Sequence, residues 1–131
     1  MLHRSVLIAA LFGAVAAWQD PAIAAAKDYK FEPVNAEVRQ GDGVTLAVRL
    51  LHSSTGKPVA GAIVFRTRLD MSPDDMMTMT AKHQSLPEVE PGVYRFKADL
   101  TMAGNWRFQI AAKVQGEPET VEGELILGVQ K

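Results

Sequence analysis

The sequence predicts an all-β domain, an immunoglobulin-like antiparallel β-sandwich of about seven strands, preceded by a signal peptide. Three observations predict the sandwich. Apolar and polar residues alternate at period two through most of the chain, turn-forming residues recur about every ten positions, and no long segment has the period of a helix. The chain lacks cysteine, so the prediction concerns the sandwich architecture and not an antibody-type domain.

The first 26 residues have the anatomy of a secretory signal peptide. Arg4 supplies a positive charge, Ser5 to Trp18 form an apolar run, and the small residues Ala24 to Ala26 provide a cleavage site. The run is shorter than the roughly 20 residues that span a bilayer comfortably, although an uncleaved anchor remains the alternative. We therefore expect residues 27–131 to form one exported, periplasmic domain that does not insert into the membrane after cleavage.

Composition excludes several classes of function. The 131-residue chain has a formal net charge of −1, which provides no strong field for nucleic acid. Because cysteine is absent, the protein has neither disulfides nor thiol chemistry. An enzyme is not expected, since only His52 and His83 remain after the leader and no nucleophile elbow, phosphate loop or zincin motif occurs.

The strands follow from the alternation. The alternating segments are, in chain order, Val44–Leu50, Ile63–Leu69, Tyr94–Leu100, Trp106–Val114 and Val121–Val129. Glycine, proline and asparagine mark the turns between them. In the second segment the alternation predicts that Ile63, Phe65 and Leu69 face the core. Residues 27–32 are expected to be a loose lead-in to the first strand.

The segment Met71–His83, "MSPDDMMTMTAKH", gathers most of the methionines outside the initiator. Pro73 fits poorly in a central strand and predicts a loop there. The following residues, 77–83, are either extended or a helical turn. In both cases Met79 and His83 are expected on one side of the segment.

Thioether sulfur is a soft, uncharged ligand that binds Cu(I) or Ag(I) well and Zn²⁺, Mg²⁺ or Ca²⁺ poorly. An exported protein without cysteine that bound monovalent copper would depend on methionine and histidine. The candidate metal ligands are Met71, Met76, Met77, Met79, His83 and Met102. The alternative is that the methionines fill an irregular core or form an interaction surface. Met102 in particular continues the inward series that ends at Leu100, and would plug the end of the sandwich.

Residues Leu69 to Glu122 resemble the YtkA-like domain family, which is also met in FixH-type proteins and at the head of heavy-metal efflux adaptor proteins. The resemblance is carried by "LDMSPDDMMTMTAK" and by "EPGVYRFKADLTMAGNWRFQIAAKVQGEPETV", with the turn "TMAGNW" after "GVYRF" as its most specific part. The upstream "GKPVAGAIVFRTRLDM" fits as well. The resemblance implies an immunoglobulin-type sandwich and a place beside copper-handling or metal-efflux partners.

The same resemblance bears on the candidate ligands. Methionines that match the family pattern are Met71, Met76, Met79 and Met102, whereas His83 and Met77 have no counterpart in it. The leading hypothesis is a periplasmic module that binds Cu(I) or Ag(I) and delivers or buffers the metal for a metal-efflux or oxidase-assembly membrane protein. The alternative hypothesis is a metal-free interaction domain whose methionine-rich loop docks a membrane complex.

Overall fold

The computed structural model describes residues 28–131, so the predicted signal peptide and its cleavage site lie outside the described residues. This part of the chain forms nine strands and one short 3₁₀ turn at Ser72–Asp74. The strands are β1 (Tyr29–Pro33), β2 (Glu37–Arg39), β3 (Gly41–His52), β4 (Ile63–Met71), β5 (Met76–Thr80), β6 (His83–Ser85), β7 (Val93–Leu100), β8 (Gly104–Lys113) and β9 (Thr120–Gln130). Within the described range, no helix is long and apolar enough to cross a bilayer.

Two sheets face each other across one core. The first has the order β1-β3-β7-β6 and the second the order β2-β9-β8-β4-β5. Among the described strands only β2 and β9 pair in parallel; the other pairs are antiparallel. The predicted immunoglobulin-like sandwich is therefore confirmed. There are more strands than predicted in part because β2 and β6, with three residues each, are too short for an alternation to reveal.

The core lies between the inner faces of the long strands. Its members on β3, β7, β8 and β9 include Leu46, Val48, Leu50, Phe96, Leu100, Trp106, Phe108, Ile110, Leu125, Leu127 and Val129. Phe96 and Phe108 meet edge to face across the two sheets, with their ring centroids 4.9 Å apart. For these four strands the period-two pattern correctly predicts the inward-facing apolar side chains, although Ala111, on the predicted outer face of β8, is buried as well.

The N-terminal lead-in is a strand, contrary to the sequence prediction. Residues Tyr29–Pro33 pair with the end of β3, and both Tyr29 and Phe31 are buried. Phe31 packs on Gly123 of the opposite sheet, where any Cβ would overlap its ring. The Tyr29 hydroxyl also donates a hydrogen bond of 2.7 Å to Glu117. Two apolar residues are too few for an alternation, so only the tertiary contacts define β1.

The predicted inward face of β4 is also wrong in its first half. A β-bulge between Val64 and Arg66 shifts the register against β8. Because side chains alternate with period two, the shift turns Ile63 and Phe65 outward, with 68% and 50% of their surfaces exposed. Val64 packs against the core in their place. The second half of the strand keeps the predicted orientation, and Leu69 is buried.

Candidate functional site

The methionine-rich segment forms a hairpin at the edge of the five-stranded sheet. β4 ends at Met71, the 3₁₀ turn Ser72–Asp74 follows, and β5 runs back antiparallel to β4. Pro73 occupies the first turn of the 3₁₀ segment, where its missing N–H costs nothing. Asp75 then adopts a left-handed conformation with φ 58°, which ends the turn. The loop predicted at Pro73 is confirmed, and residues 76–80 are extended and not helical.

β5 carries a bulge that is larger than the usual single extra residue. Met76 pairs with Met71 and Thr80 pairs with Asp70, so four steps along β5 match one step along β4. The residues between these partners, Met77 to Met79, are looped out of the ladder. All five residues of β5 are exposed. Bulges commonly re-aim side chains beside functional sites, and here the exposed residues of the bulge include Met77 and Met79.

The bulge is held at both ends by hydrogen bonds. The guanidinium of Arg68 donates to the Met77 carbonyl oxygen over 3.0 Å. Beyond β5, the Ala81 N–H donates to the Leu69 carbonyl over 3.2 Å. The looped residues thus have fixed ends, although their side chains are open to solvent.

A buried carboxylate supports Arg68. Asp70 has no exposed surface and accepts hydrogen bonds from Arg68 Nε at 2.8 Å, from Arg107 at 2.7 Å and from the Ser72 N–H at 3.0 Å. Burial by itself raises the pKa of Asp70, but the hydrogen bonds from Arg107, Ser72 and Arg68 outweigh it and hold the pKa well below its usual range. Asp70 therefore remains a carboxylate and links β4, β8 and the turn.

The turn is also fastened to β8. The Asp74 carboxylate accepts hydrogen bonds from the Asn105 backbone N–H at 2.8 Å and from its side-chain amide at 3.0 Å, and these bonds lower the pKa of Asp74. At Gly104, where φ is +141°, a Cβ would overlap the Asp74 carboxylate and the Met71 methyl group. A glycine is required there because the hairpin lies directly against the start of β8.

The candidate methionines divide into two groups by exposure. Met71 is fully buried, and Met102 is half-buried and packs against the core. Met76, Met77 and Met79 expose 37%, 59% and 38% of their surfaces. Since Met71 and Met76 are cross-strand partners, their side chains share one face of the sheet.

Met102 lies at the same end of the sandwich as this hairpin. It belongs to the turn between β7 and β8, two residues before the Gly104 that Met71 touches. Its carbonyl accepts a hydrogen bond of 2.9 Å from Trp106 Nε1. The structure thus places Met71, Met76 and Met102 at one end, whereas Met77 and Met79 lie in the bulge.

His83 is separated from the methionines by a change of sheet. Met79 is on β5 of one sheet and His83 is on β6 of the other, so the chain crosses between them at residues 81–82. The expectation that Met79 and His83 share a side assumed one continuous element, which the structure does not form here.

Both ring nitrogens of His83 have partners. Nδ1 lies 2.9 Å from the Ala81 carbonyl oxygen, and Nε2 lies 2.6 Å from the Thr67 hydroxyl. Because a carbonyl only accepts, Nδ1 carries a proton, and in the neutral ring the Thr67 hydroxyl then donates to Nε2. The ring also meets Phe108 edge to face at 5.8 Å. His83 therefore connects the two sheets, and its lone pair is engaged by Thr67.

Sequence reasoning did not single out Arg68 and Asp70, which support the bulge. The pattern that could have found them is an arginine two positions before an aspartate in a predicted strand. Such residues share a face, where opposite charges can pair. Within residues 28–131, the His, Asp and Glu side chains form no group of three or more that could hold a metal ion.

Fold and site together define an immunoglobulin-like β-sandwich that exposes three thioethers on an anchored edge bulge. The chain belongs to the YtkA-like family, whose model matches residues 23–111. The family predicted from the methionine segment and the "TMAGNW" turn is thereby confirmed. The match supports a domain of the periplasmic type. No curated protein matches the chain.

Solved structures similar to this chain are distant in sequence. A filamin domain of Lin-41 is 14% identical, with a TM-score of 0.48 over 80% of this chain and 94% of that one. Domains 4 and 5 of the S-layer protein SbsC are 13% identical, with a TM-score of 0.40 over 78% of this chain and 51% of that one. A conjugative transposon lipoprotein from Bacteroides eggerthii is 14% identical, with a TM-score of 0.34 over 76% and 96% of the two chains.

Proposed function

We propose that this domain is an exported, periplasmic module that holds Cu(I) or Ag(I) on the thioethers of the β5 bulge. In this proposal it buffers the metal or delivers it to a metal-efflux or oxidase-assembly membrane protein. The observation that carries the proposal is the exposure of Met76, Met77 and Met79 on a looped segment whose two ends are hydrogen-bonded. Soft sulfur donors held in place in this way suit a soft monovalent ion.

The proposed ligands are narrower than the full set of candidates. Met71 is sealed against Gly104, and the Nε2 lone pair of His83 accepts from Thr67. Met102 is half-buried in the core. Each of these three would have to leave its packing or its hydrogen bond before it reached an ion at the surface. Met76, Met77 and Met79 need no such rearrangement.

A set of neutral ligands has a consequence for affinity. Thioethers contribute no negative charge, and the nearby guanidinium of Arg68 adds a positive one, 3.0 Å from the Met77 carbonyl oxygen. Binding therefore depends on the affinity of the ion for sulfur and not on charge neutralisation. Binding of this kind is weak enough to permit transfer to a partner, which supports buffering or delivery over permanent storage.

The alternative is a metal-free interaction domain that docks a membrane complex through the same segment. Three exposed methionines on an edge strand favour it, because adaptable apolar contacts are typical of docking surfaces. The bulge counts against strand addition, since looped-out residues do not present a regular row of N–H and C=O groups to a partner strand. We therefore rank the metal site first.

Titration of the purified protein with Ag(I), observed through the methionine methyl NMR resonances, tests the proposal. We expect the resonances of Met76, Met77 and Met79 to shift and that of Met71 to stay unchanged. Replacing the three exposed methionines by leucine should abolish binding while the circular dichroism spectrum is retained. Met71→Leu is the matched control, because it alters a buried thioether by the same chemistry. If the wild-type resonances do not respond to Ag(I) or Cu(I), the metal proposal is wrong.

A further inference from the structure

The methionines of the sandwich differ in how easily an oxidant reaches their sulfur atoms. Met76, Met77 and Met79 are exposed on β5, and Met77 is the most exposed of the three. Met71 has no exposed surface. Because the chain contains no cysteine, thioethers are its only sulfur groups, and no thiol of this chain consumes a peroxide before they do.

We propose that the exposed thioethers of β5 are a site of reversible oxidation by hydrogen peroxide, and that their oxidation releases the metal ion. The inference rests on the proposed function, since it concerns the regulation of the same ligands. In the reaction a sulfur lone pair attacks one oxygen of the peroxide, so that an S–O bond forms and the O–O bond breaks. The proton of the transferred oxygen passes to the departing hydroxide, which leaves as water. The sulfur loses two electrons to the peroxide and becomes a sulfoxide.

A sulfoxide is a poor ligand for a soft ion. One sulfur lone pair now forms the S–O bond, and the new donor that faces solvent is a hard, polar oxygen. β5 itself consists of methionine and threonine only, so it has no carboxylate that could hold the ion by charge. Oxidation therefore removes the soft donors on which binding to this strand depends.

Oxidation on β5 leaves the fold in place. The bond that Arg68 donates to the bulge ends on the backbone carbonyl of Met77, so it does not involve the thioether. Sulfoxide oxygens on exposed side chains are hydrated by water. An oxygen added to Met71 would instead be buried without a partner against Gly104, which is destabilising. Since the reactive sulfurs are those outside the core, methionine sulfoxide reductases can restore the ligands.

Treatment of the full protein with hydrogen peroxide, followed by tandem mass spectrometry, tests where oxidation occurs. We expect Met77 to gain oxygen first, Met76 and Met79 next, and Met71 last. The circular dichroism spectrum should be unchanged once the exposed sites have reacted. Ag(I) bound beforehand should slow oxidation of the three exposed methionines, because the ion occupies the attacking lone pair, and should not slow oxidation of the half-buried Met102.

The affinity for Ag(I), measured by competition with free methionine, tests the consequence. Oxidation should lower it by at least about tenfold, because the loss of a direct ligand costs no less than the loss of a group that orients one. Methionine sulfoxide reductases of both stereospecificities, followed by dialysis of the thiol reductant, should restore it. Met76→Gln/Met77→Gln/Met79→Gln, with polar side chains of similar length, should bind as weakly without peroxide. Met71→Leu is the matched control and should respond to peroxide like the wild type.

The outcomes separate this inference from the proposed function. If the untreated protein binds Ag(I) but peroxide oxidises the exposed methionines no faster than Met71, the inference is wrong and the metal module stands. If the exposed methionines are oxidised and Ag(I) still binds as tightly, the inference and the assigned ligands are both wrong. Absence of Ag(I) binding to the untreated protein overturns the inference together with the proposed function.

Discussion

Met71 and Met77 are six residues apart in one hairpin, yet their environments are opposite. Met71 is fully buried against Gly104, whereas Met77 exposes 59% of its surface in the bulge. The difference arises from what lies beyond each residue. β8 and the fastened turn cover Met71, while Met77 is at the outer edge of the sheet. A cluster of methionines in the sequence is thus two sets in space, one for packing and one for contact with solvent.

Asp70, the buried carboxylate that links β4, β8 and the turn, should contribute most to the free energy of unfolding. Replacing Asp70 by alanine leaves the guanidiniums of Arg107 and Arg68 without their buried carboxylate. We expect a loss of about 3 to 5 kcal/mol in the free energy of unfolding, measured by urea denaturation. Glu122→Ala is the control, because it breaks the exposed Arg66–Glu122 pair and should cost no more than about 1 kcal/mol. Equal losses in the two variants would contradict the role assigned to Asp70.

Replacing Met71 and Met77 by alanine, one at a time, tests whether the first is packed and the second is exposed. Met71→Ala creates a cavity beneath β8 and should lower the free energy of unfolding by about 2 to 5 kcal/mol. Met77→Ala removes a solvent-exposed side chain and should change it by no more than about 0.5 kcal/mol. Thermal or urea unfolding of both variants gives the difference. Comparable values would mean that Met77 is packed in solution and is no surface ligand.

Acid should remove the stabilisation that Asp70 contributes to the folded protein. The pKa of Asp70 is lower in the folded protein than in the unfolded chain, so its contribution to stability is fully present above about pH 5. That contribution decreases as the pH falls below about 4, where the unfolded chain takes up the proton first. Between about pH 5 and 2, Asp70→Asn should therefore lose less stability than the wild type. Parallel profiles in urea denaturation would show that Asp70 does not govern this range.

The smallest expected effect concerns His83. Thr67→Val removes the hydroxyl that donates to Nε2, and should cost about 1 kcal/mol of stability because one partly buried hydrogen bond is lost. It also frees the lone pair of His83. We expect the affinity for Ag(I), measured by competition with free methionine, to remain unchanged. A clear increase would show that His83 belongs to the metal site after all.

Much of the fold could be predicted from the sequence because its long strands alternate regularly. β3, β7, β8 and β9 lie where the period-two pattern puts them, with Trp106 and Phe108 buried as expected. The pattern fails where it is short or interrupted. Tyr29 and Phe31 form too brief an alternation, and the bulge between Val64 and Arg66 reverses the predicted orientation of the first half of β4.

The candidate site shows the same limit. The gathering of thioethers and the soft chemistry that they imply were predictable from residue types alone. The contact of Arg107 with Asp70 and the sealing of Met71 were not, because both depend on β8, which lies more than thirty residues further along the chain.

The sequence by itself determined the sandwich, the family and the presence of sulfur donors, since alternation, turn residues and side-chain chemistry are local properties. Tertiary structure alone decided which sulfurs reach solvent. The exposure of a side chain depends on the register of its strand and on the neighbour that covers it. In this protein a bulge sets the register of β5, and the turn pinned to β8 supplies the cover for Met71.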